Sequence, residues 1–313
     1  MATYLVTGGA GFIGSNIAHE LVRRGDRARV LDNFATGRRG NLAGIADRLD
    51  LIEGDLRRPA DVEKAVEGVD VVLHQGALGS VPRSIADPVT SHEANATGTL
   101  HVLQAARAAG VRRVVYASSS SVYGDTPTLP KVEDMPPAPQ SPYAVAKLAG
   151  ELYCRVFSSI HAMEAISLRY FNVFGPRQDP TSQYAAVIPK FIRAMLRGER
   201  PVIFGDGTQS RDFTYVENVI SANLLAAEAP PATLGGAVCN VACGERFTLL
   251  DLVRTLNGIL GTRLEPIFQA PRPGDVLHSH AAIERASRLL TYRPIVPFAE
   301  GLRRTVDWIR THE

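Results

Sequence analysis

Gly8-Gly9-Ala10-Gly11-Phe12-Ile13-Gly14 follows the short apolar run Tyr4-Leu5-Val6-Thr7 and precedes a helical pattern of apolar residues. This order of strand, glycine turn and helix, with glycines at the GxGxxG and GxxGxxG spacings, is typical of a dinucleotide-binding unit. Glycine permits a tight turn and lets the backbone approach a pyrophosphate, which the helix amino terminus attracts. The pattern predicts that a dinucleotide contacts Gly8, Gly11, Phe12, Ile13 and Gly14.

The next apolar run, Ala28 to Leu31, ends in Asp32, about twenty residues after the turn. A carboxylate at this point accepts a hydrogen bond from an adenosine ribose hydroxyl and repels a 2'-phosphate, so it favours NAD over NADP. Arg38 and Arg39 follow closely and argue weakly in the other direction. We interpret both arginines as solvated loop charges and expect NAD as the cofactor.

Apolar runs alternate with helical patterns through the first half of the chain. Runs at 50–52, 69–74, 113–117 and 165–170 predict strands, and 60–66, 91–109 and 143–159 predict helices. This alternation predicts an α/β fold with a Rossmann-type doubly wound parallel sheet.

The composition changes after Phe174-Gly175-Pro176, where proline, glycine and arginine become frequent. We therefore expect a dinucleotide-binding domain over 1–173 and a smaller mixed α/β substrate domain over 174–313. It also stays open whether some segments after residue 173 return to the Rossmann sheet. Apolar residues at helical spacing predict a closing helix over 298–309 whose role is packing.

Composition and charge exclude several classes of function. The chain has 313 residues, 45% of them hydrophobic, and a net charge of +2 without a basic block, which argues against a nucleic-acid partner. No apolar stretch approaches the roughly 18 residues of a membrane span, so we expect a cytoplasmic protein. The three cysteines form no CxxC pair. His278-Ser279-His280 lacks an acid at ligand spacing, so no metal site is expected.

Tyr143-Ala-Val-Ala-Lys147 places a tyrosine and a lysine on one helical face. A free phenol has a pKa near 10 and is only about 0.1% ionised at neutral pH, so it needs a nearby cation to act as a base. Lowering that pKa by roughly three units is worth about 4 kcal/mol, which Lys147 and an oxidised nicotinamide could supply together. A chance surface pair is the alternative, and the glycine turn weighs against it.

These motifs resemble the extended short-chain dehydrogenase/reductase family, in particular its nucleotide-sugar 4-epimerases and, most of all, the UDP-N-acetylglucosamine 4-epimerases. The resemblance covers nearly the whole length. The segments that carry it are TGGAGFIGS, Leu31-Asp32-Asn33, Gly54-Asp55-Leu56, HQGALGSVPRS from His74, SSSSVYG, SPYAVAK, RYFNVFGPRQDP from Arg169, GDGTQSRDFTYVEN from Gly205 and RPGDVLHS from Arg272.

The resemblance implies a catalytic role for three residues. Tyr143 would take the proton from the 4-hydroxyl of the sugar, Lys147 would bind the nicotinamide ribose and lower the pKa of the tyrosine, and Ser119 would bond to the reacting oxygen. The choice among Ser118 to Ser121 stays open. The other implied cofactor contacts are Asn33, Asp55, Leu56, Gln75, Gly76, Ala77, Asn95 and Tyr170, with a turn or cap role equally open for Asp55. The implied substrate contacts are Ser119, Ser120, Ser121, Asn172, Val187, Val202, Phe204, Arg211, Arg272, Asp275 and Ser279.

The implied reaction is reversible inversion at carbon 4 of a UDP-hexose. NAD takes hydride, the 4-keto sugar turns about its diphosphate link, and hydride returns to the opposite face without net oxidation. Sugar 4,6-dehydratases of this family carry an Asp-Glu pair where this chain has Ser120 and Ser121, and UDP-glucuronate decarboxylases carry a glutamate at Ser121. The missing carboxylates favour simple epimerisation. A non-catalytic NAD sensor is a further alternative, although such proteins often lose the tyrosine or the lysine.

The small residue Ser279 implies room for an N-acetyl group, since relatives restricted to glucose and galactose carry tyrosine there. UDP-N-acetylglucosamine and UDP-N-acetylgalactosamine are therefore the expected pair, with the unacetylated sugars as weaker substrates. Relatives usually continue with Ala-Asp after this serine, whereas this chain has His280-Ala281-Ala282, which leaves the start of the following helix uncertain. The resemblance also implies a homodimer through the helices at 91–109 and 143–159.

Overall fold

A parallel sheet forms the centre of the molecule. The computed structural model describes residues 2–179, 187–231, 234–271 and 277–312. The strands of the central sheet are β1 (Thr3–Thr7), β2 (Arg27–Asp32), β3 (Leu49–Glu53), β4 (Val71–His74), β5 (Arg113–Ser119), β6 (Glu164–Tyr170) and β11 (Ala237–Val241). They lie in the order β11-β6-β5-β4-β1-β2-β3, and every pair is parallel. This confirms the predicted Rossmann-type α/β class.

Helices cover both faces of this sheet. One face packs against α1 (Phe12–Arg24), α8 (Val216–Glu228) and α10 (Glu284–Leu290). The opposite face packs against α2 (Pro59–Val66), α5 (Gly98–Ala108) and α6 (Pro142–His161). Because parallel strands are buried on both faces, their sequences read as continuous apolar runs, which is why they could be predicted.

The predicted helix at 91–109 is interrupted. The short helices α3 (Val81–Ala86) and α4 (Pro88–His92) come first, and a π-helical turn at Glu93–Thr97 then separates α4 from α5. A π-helical turn inserts an extra residue into the hydrogen-bond ladder, and such turns occur frequently at functional sites. The helical stretch predicted near 91–109 is present, but apolar periodicity does not reveal the π-helical turn inside it.

The remaining elements form a second apolar cluster beside the sheet. They are β7 (Val173–Phe174), β8 (Val202–Phe204), β9 (Ser210–Arg211), β10 (Thr214–Tyr215), β12 (Phe247–Thr248), β13 (Ile267–Gln269), α7 (Val187–Leu196), α9 (Leu249–Leu260) and α11 (Phe298–His312). The apolar face of α11 is buried in this cluster, which confirms the predicted closing helix. Strand β11 is part of the central sheet and helix α8 packs against it, although both follow residue 173 in the chain. The division into two domains at residue 173 stays a prediction.

Candidate active site

The glycine turn forms a tight cradle at the carboxyl edge of the sheet. Gly8 has φ of +63°, and a Cβ built there would lie 2.6 Å from the Cα of Gly76. A Cβ at Gly14 would lie 2.2 Å from the carbonyl oxygen of Gly8. Within the described chain, no side chain caps α1 at Gly11, so the first-turn amides remain available to an anion. The cradle therefore fits a pyrophosphate.

Asp32 lies next to this cradle at the end of β2. Its Oδ2 accepts from the Ala10 amide at 2.9 Å and its Oδ1 from the Phe34 amide at 2.8 Å. Burial raises the pKa of Asp32, while these backbone hydrogen bonds oppose the rise. Each carboxylate oxygen keeps acceptor capacity for a ribose hydroxyl.

The two arginines that follow Asp32 pair with carboxylates of the protein. Arg38 lies 2.7 Å from the Asp179 carboxylate, and Arg39 pairs with Glu53. These pairs agree with the interpretation of both residues as loop charges. Neither guanidinium therefore offers a dedicated site for a 2'-phosphate.

The loop after β4 is fixed against β1. The Gly76 amide donates to Thr7 Oγ1 at 3.1 Å, and that hydroxyl is hydrogen-bonded to His74 Nδ1 at 2.6 Å. Burial lowers the pKa of His74 to about 3, so this imidazole is neutral. Asn95, in the π-helical turn, accepts from the Leu78 amide at 2.7 Å and donates to the Leu78 carbonyl at 3.2 Å. Asn95 thus holds the loop through both ends of its amide.

Gln75 and Tyr170 meet in one hydrogen-bond network. The Tyr170 hydroxyl donates to Gln75 Oε1 at 3.0 Å, and Gln75 Nε2 donates to Asn223 Oδ1 at 2.9 Å. Asn223 is buried on α8 and was missed by the sequence analysis, where its only signal is a polar residue inside an apolar helical pattern. The network joins the ends of β4 and β6 to α8.

Asp55 organises the turn after β3. Its Oδ2 accepts from Asn33 Nδ2 at 2.9 Å and from Arg57 Nη2 at 2.6 Å. The Arg57 guanidinium holds the pKa of Asp55 well below its usual range. The turn role is therefore visible directly, and contact of Asp55 with a cofactor stays a prediction. Leu56 lies beneath Gly76, where an added Cβ would come within 2.7 Å of Leu56 Cδ1.

Tyr143, Lys147 and Ser119 come together at the same edge of the sheet. Ser141 caps α6 by accepting from the Ala144 amide at 3.2 Å, which places Tyr143 in the first helical turn and Lys147 one turn later. Lys147 is only 3% exposed, and its Nζ lies 5.9 Å from the ring centroid of Tyr143. The Tyr143 hydroxyl is hydrogen-bonded to Ser119.

The serine run separates into distinct roles. Ser118 donates to Glu151 Oε1 at 2.5 Å, whereas Ser119 accepts from the Ser121 amide at 3.2 Å and faces Tyr143. Ser120 and Ser121 open a short 3-10 turn. The hydroxyl of Ser121 is buried and has no partner among the described residues. A buried hydroxyl without a partner is frequently a ligand contact, and the geometry singles out Ser119 as the serine beside the tyrosine.

The protein alone does not lower the pKa of Tyr143, and the expectation above required the oxidised nicotinamide as well as Lys147 for that effect. Burial raises that pKa, and the hydrogen bond from Ser119 opposes the rise. Burial also lowers the pKa of Lys147 to about 8, with Glu151 opposing that fall. Burial disfavours the charged form of both groups. A phenolate at Tyr143 therefore needs a positive charge in addition to that of Lys147.

A cavity of about 270 Å³ lies between the sheet edge and the second apolar cluster. It is lined by the predicted substrate residues Asn172, Val187, Val202, Phe204 and Arg211, together with Val173, Phe174, Ile188, Gln209, Phe213 and Leu249. Its volume is slightly below that of sites for drug-sized ligands, as expected for a pocket that takes one part of a larger molecule. The sequence analysis named none of the last six residues as substrate contacts.

Ser279 is connected to this cavity by Asn172, whose Nδ2 donates to Ser279 Oγ at 3.2 Å. Arg211 donates to the Leu277 carbonyl at 3.0 Å, which ties the same segment to β9. Arg272 and Asp275 lie outside the described residues. The helix after His280-Ala281-Ala282 begins at Glu284.

The two histidines around Ser279 bond to the protein. His278 Nδ1 is 2.9 Å from Ser210 Oγ, and His280 Nε2 is 3.1 Å from the Gly244 carbonyl. In the part of the chain that the structure describes, no three metal-ligating side chains cluster, and no helix is long and apolar enough to cross a membrane.

Comparison with known proteins identifies the family. Residues 4–242 match the model of the NAD dependent epimerase/dehydratase family. A UDP-glucose 4-epimerase from Mycolicibacterium smegmatis is 38% identical over 98% of both chains. The structure of a UDP-N-acetylglucosamine 4-epimerase from Methanobrevibacter ruminantium M1, in complex with UDP-N-acetylmuramic acid, superposes with a TM-score of 0.94 at 40% identity, covering 100% of this chain and 99% of the other. A UDP-glucose 4-epimerase from Thermus thermophilus in complex with NAD gives a TM-score of 0.88 at 36% identity, covering 99% and 100%.

The family match spans most of the chain, and the cradle, Asp32 and the Tyr143–Lys147 pair lie within it. The predicted family resemblance and the predicted cofactor are therefore confirmed. The chain belongs to the NAD dependent epimerase/dehydratase family, and it is an enzyme whose cofactor is NAD.

Proposed function

We propose that this enzyme is a UDP-sugar 4-epimerase. The observation that carries the proposal is the grouping of Ser119, Tyr143 and Lys147 at the edge of the sheet that also holds the NAD cradle. The similarity to 4-epimerases over nearly the whole chain supports it.

In the proposed mechanism, the glycine cradle and Asp32 would hold NAD, which would supply reversible hydride transfer at carbon 4 of the sugar. Tyr143 removes the proton of the 4-hydroxyl and later gives it back, and Ser119 orients the reacting oxygen. Lys147 supplies a buried positive charge that favours the phenolate. Arg211 binds the diphosphate, because its fork donates to two oxygens together.

Absent carboxylates separate this proposal from related reactions. Elimination of water or loss of carbon dioxide calls for an acid or base beside the reacting carbons. The positions expected to carry these carboxylates in related dehydratases and decarboxylases are Ser120 and Ser121 in this chain. Both residues lie in the turn directly after Ser119. Neither hydroxyl has the pKa of a general acid or base near neutral pH, so simple epimerisation is favoured.

The proposed cycle predicts that the purified protein retains NAD and interconverts sugars without added cofactor, because the cofactor is regenerated in each turnover. The test is to assay nucleotide released by denaturation and to incubate the protein with UDP-glucose, UDP-galactose, UDP-N-acetylglucosamine and UDP-glucuronate. An isomer of unchanged mass is expected. Loss of water or of carbon dioxide would overturn the epimerase assignment, and so would net reduction of added cofactor.

For the substrate, we propose the pair UDP-N-acetylglucosamine and UDP-N-acetylgalactosamine, with the unacetylated sugars as weaker substrates. The support is the small side chain of Ser279, which the hydrogen bond from Asn172 holds at the border of the cavity. A tyrosine in this place would occupy space beside carbon 2 of the sugar.

Ser279→Tyr is expected to lower kcat/KM for the N-acetyl pair by at least roughly tenfold, equivalent to about 1.4 kcal/mol. The glucose and galactose pair, assayed on the same variant, is the internal control and is expected to be spared. Steady-state kinetics with all four sugars measures this. Equal effects on both pairs, or none on either, would show that Ser279 does not decide the substrate.

We also propose a homodimer through the outer face of α6. Apolar side chains on this helix are exposed at helical spacing: Val145, Leu152, Tyr153, Val156 and Ile160. The short helices α3 and α4 pack against α6 and add Ile85 and Val89. A contiguous apolar face of this kind marks a protein interface. No large apolar side chain of α5 is comparably exposed, so the proposed interface uses 81–92 in place of 91–109.

The dimer can be tested by Ile160→Lys, which places a charge within the proposed interface. Ile295 is 61% exposed against 67% for Ile160. It lies beside residues of α1 and α8, on the face of the sheet opposite α6, so Ile295→Lys is the matched control. Sedimentation velocity is expected to show a dimer for the control and a monomer for Ile160→Lys. A dimer in both variants would contradict this interface.

A further inference from the structure

A buried ion pair lies directly beneath the proposed catalytic serine. Arg169 of β6 donates to both carboxylate oxygens of Glu151, at 2.8 Å from Nε and 2.7 Å from Nη2. Each of the two residues is 3% exposed. Ser118 adds its 2.5 Å hydrogen bond to the same carboxylate. Glu151 thus joins α6 to the ends of β5 and β6 where they reach the site.

Glu151 is also one helical turn beyond Lys147. Lys147 Nζ donates to the Ala117 carbonyl at 2.7 Å, so Lys147 and Glu151 hold consecutive residues at the end of β5. The next residue of that strand is Ser119. The orientation of Ser119 toward Tyr143 therefore depends on the positions of Lys147 and Glu151.

Glu151 provides the negative charge near Lys147. The neighbouring side chains Tyr116 of β5 and His74 of β4 are neutral, because burial raises the pKa of the first and lowers that of the second. Arg169 contributes a positive charge that is already engaged by Glu151. Other ionisable residues lie on the helical segments that pack against α6, and none of them contributes to the pKa shift of Lys147. These residues are Arg83, His92, Glu93, His101 and Arg107.

We propose that Glu151 is a positioning residue for the reaction: through Ser118 it fixes the strand end that carries Ser119, and through its charge it keeps Lys147 in the ammonium form. A buried ion pair is weak evidence of stabilisation, since apolar residues of similar size frequently stabilise as well or better. Stabilisation therefore does not explain why the Glu151–Arg169 pair lies at the end of the strands that carries the proposed catalytic residues. The role rests on the proposed epimerase function, and its test includes a measurement that is independent of activity.

The strands provide a matched control at their opposite ends. Arg113 of β5 is 1% exposed and donates to Glu164 at 2.6 Å, and these two residues are register partners at the start of β5 and β6. Glu164→Gln therefore removes a carboxylate from a second buried arginine on the same strands, away from the site. Glu151→Gln removes the charge beside Lys147 and retains an acceptor for Ser118.

The protonation of Lys147 can be measured directly, because the chain has only four lysines, Lys64, Lys131, Lys147 and Lys190. Protein labelled with ¹³C at the lysine Cε is titrated by NMR, and Lys147→Arg assigns the signal. In Glu151→Gln the acid dissociation constant of Lys147 is expected to rise about tenfold, since an opposite charge that favoured the ammonium is lost. In Glu164→Gln it is expected to stay at the wild-type value.

Turnover gives the second measurement. For Glu151→Gln we expect kcat to fall with rising pH from a lower pH than in the wild type, because the required ammonium is lost earlier. Glu164→Gln should keep the wild-type profile, and Ser118→Ala should lower kcat with an unchanged Lys147 titration. The double variant Glu151→Leu/Arg169→Met removes the negative charge together with its positive partner. If Glu151→Gln does not fold, this variant is expected to shift the Lys147 titration in the same direction by a smaller amount, since Glu151 is the charge that acts on Lys147.

The proposal would be overturned if Lys147 titrated at the same pH in the Glu151 variant as in the wild type and in Glu164→Gln. Glu151 would then have only a structural role. A wild-type protein that does not epimerise any UDP-sugar would overturn the proposed function instead. The NMR titration still decides the electrostatic role of Glu151 in that case. The two failures are therefore distinguishable.

Discussion

Replacing Tyr143 with phenylalanine is expected to lower turnover by roughly 10²-fold or more while the protein stays folded and retains NAD, since acid/base catalysis typically contributes this much. The variant loses the hydroxyl that is hydrogen-bonded to Ser119 and keeps the ring in the first turn of α6. The measurement is kcat with the preferred UDP-sugar, together with the melting temperature and the released NAD.

Tyr153→Phe is the matched control, because Tyr153 lies on the same helix, is 36% exposed and belongs to the proposed dimer face, where phenylalanine keeps the apolar ring. It should keep wild-type turnover. Near-normal turnover in Tyr143→Phe would show that another group accepts the proton of the 4-hydroxyl. A loss of turnover accompanied by loss of NAD or of thermal stability would point to a structural role for the hydroxyl.

The environment of this site determines the protonation states of Tyr143 and Lys147. Burial raises the pKa of Tyr143 and lowers that of Lys147 to about 8, so both shifts oppose the catalytic pair of phenolate and ammonium. A positive charge added beside Tyr143 favours the phenolate. In the proposed mechanism, Tyr143 therefore stays protonated until the positive charge of the oxidised cofactor would favour its phenolate.

Local patterns made the sheet and much of the site predictable. The strands are continuous apolar runs, and the glycine spacing and the Tyr143–Lys147 spacing each lie within one short segment. Each of these features depends on neighbouring residues in the sequence, so the sequence contains its signal.

Features that depend on tertiary contacts could not be predicted in this way. Glu151 and Arg169 are 18 residues apart and read as ordinary surface charges until α6 packs against β6. The π-helical turn around Asn95 inserts a residue that hydrophobic periodicity does not reveal. The burial of Tyr143 and Lys147 also arises from tertiary contacts, so the sequence could not show that burial raises the pKa of the tyrosine and lowers that of the lysine.

The second large effect is expected at Gly14, where the cradle leaves no room for a methyl group. An added Cβ would lie 2.2 Å from the Gly8 carbonyl oxygen and 2.8 Å from the Gly9 Cα, and both are backbone atoms that cannot rotate away. Overpacking of this kind costs about 1–3 kcal/mol. Gly14→Ala is therefore expected to weaken NAD binding by at least about tenfold and to lower the melting temperature.

The control is another helical glycine. Gly258 lies in α9, and nothing lies within 4 Å of a Cβ built there. Alanine is a better helix former than glycine by about 1 kcal/mol, so Gly258→Ala should keep full NAD content and leave stability equal or slightly higher. Glycine-to-alanine substitution is thus expected to lower stability at Gly14 and to maintain or raise it at Gly258. Retention of NAD by Gly14→Ala would mean that the turn can widen, and that the close approach of α1 to Gly8 is not what holds the pyrophosphate.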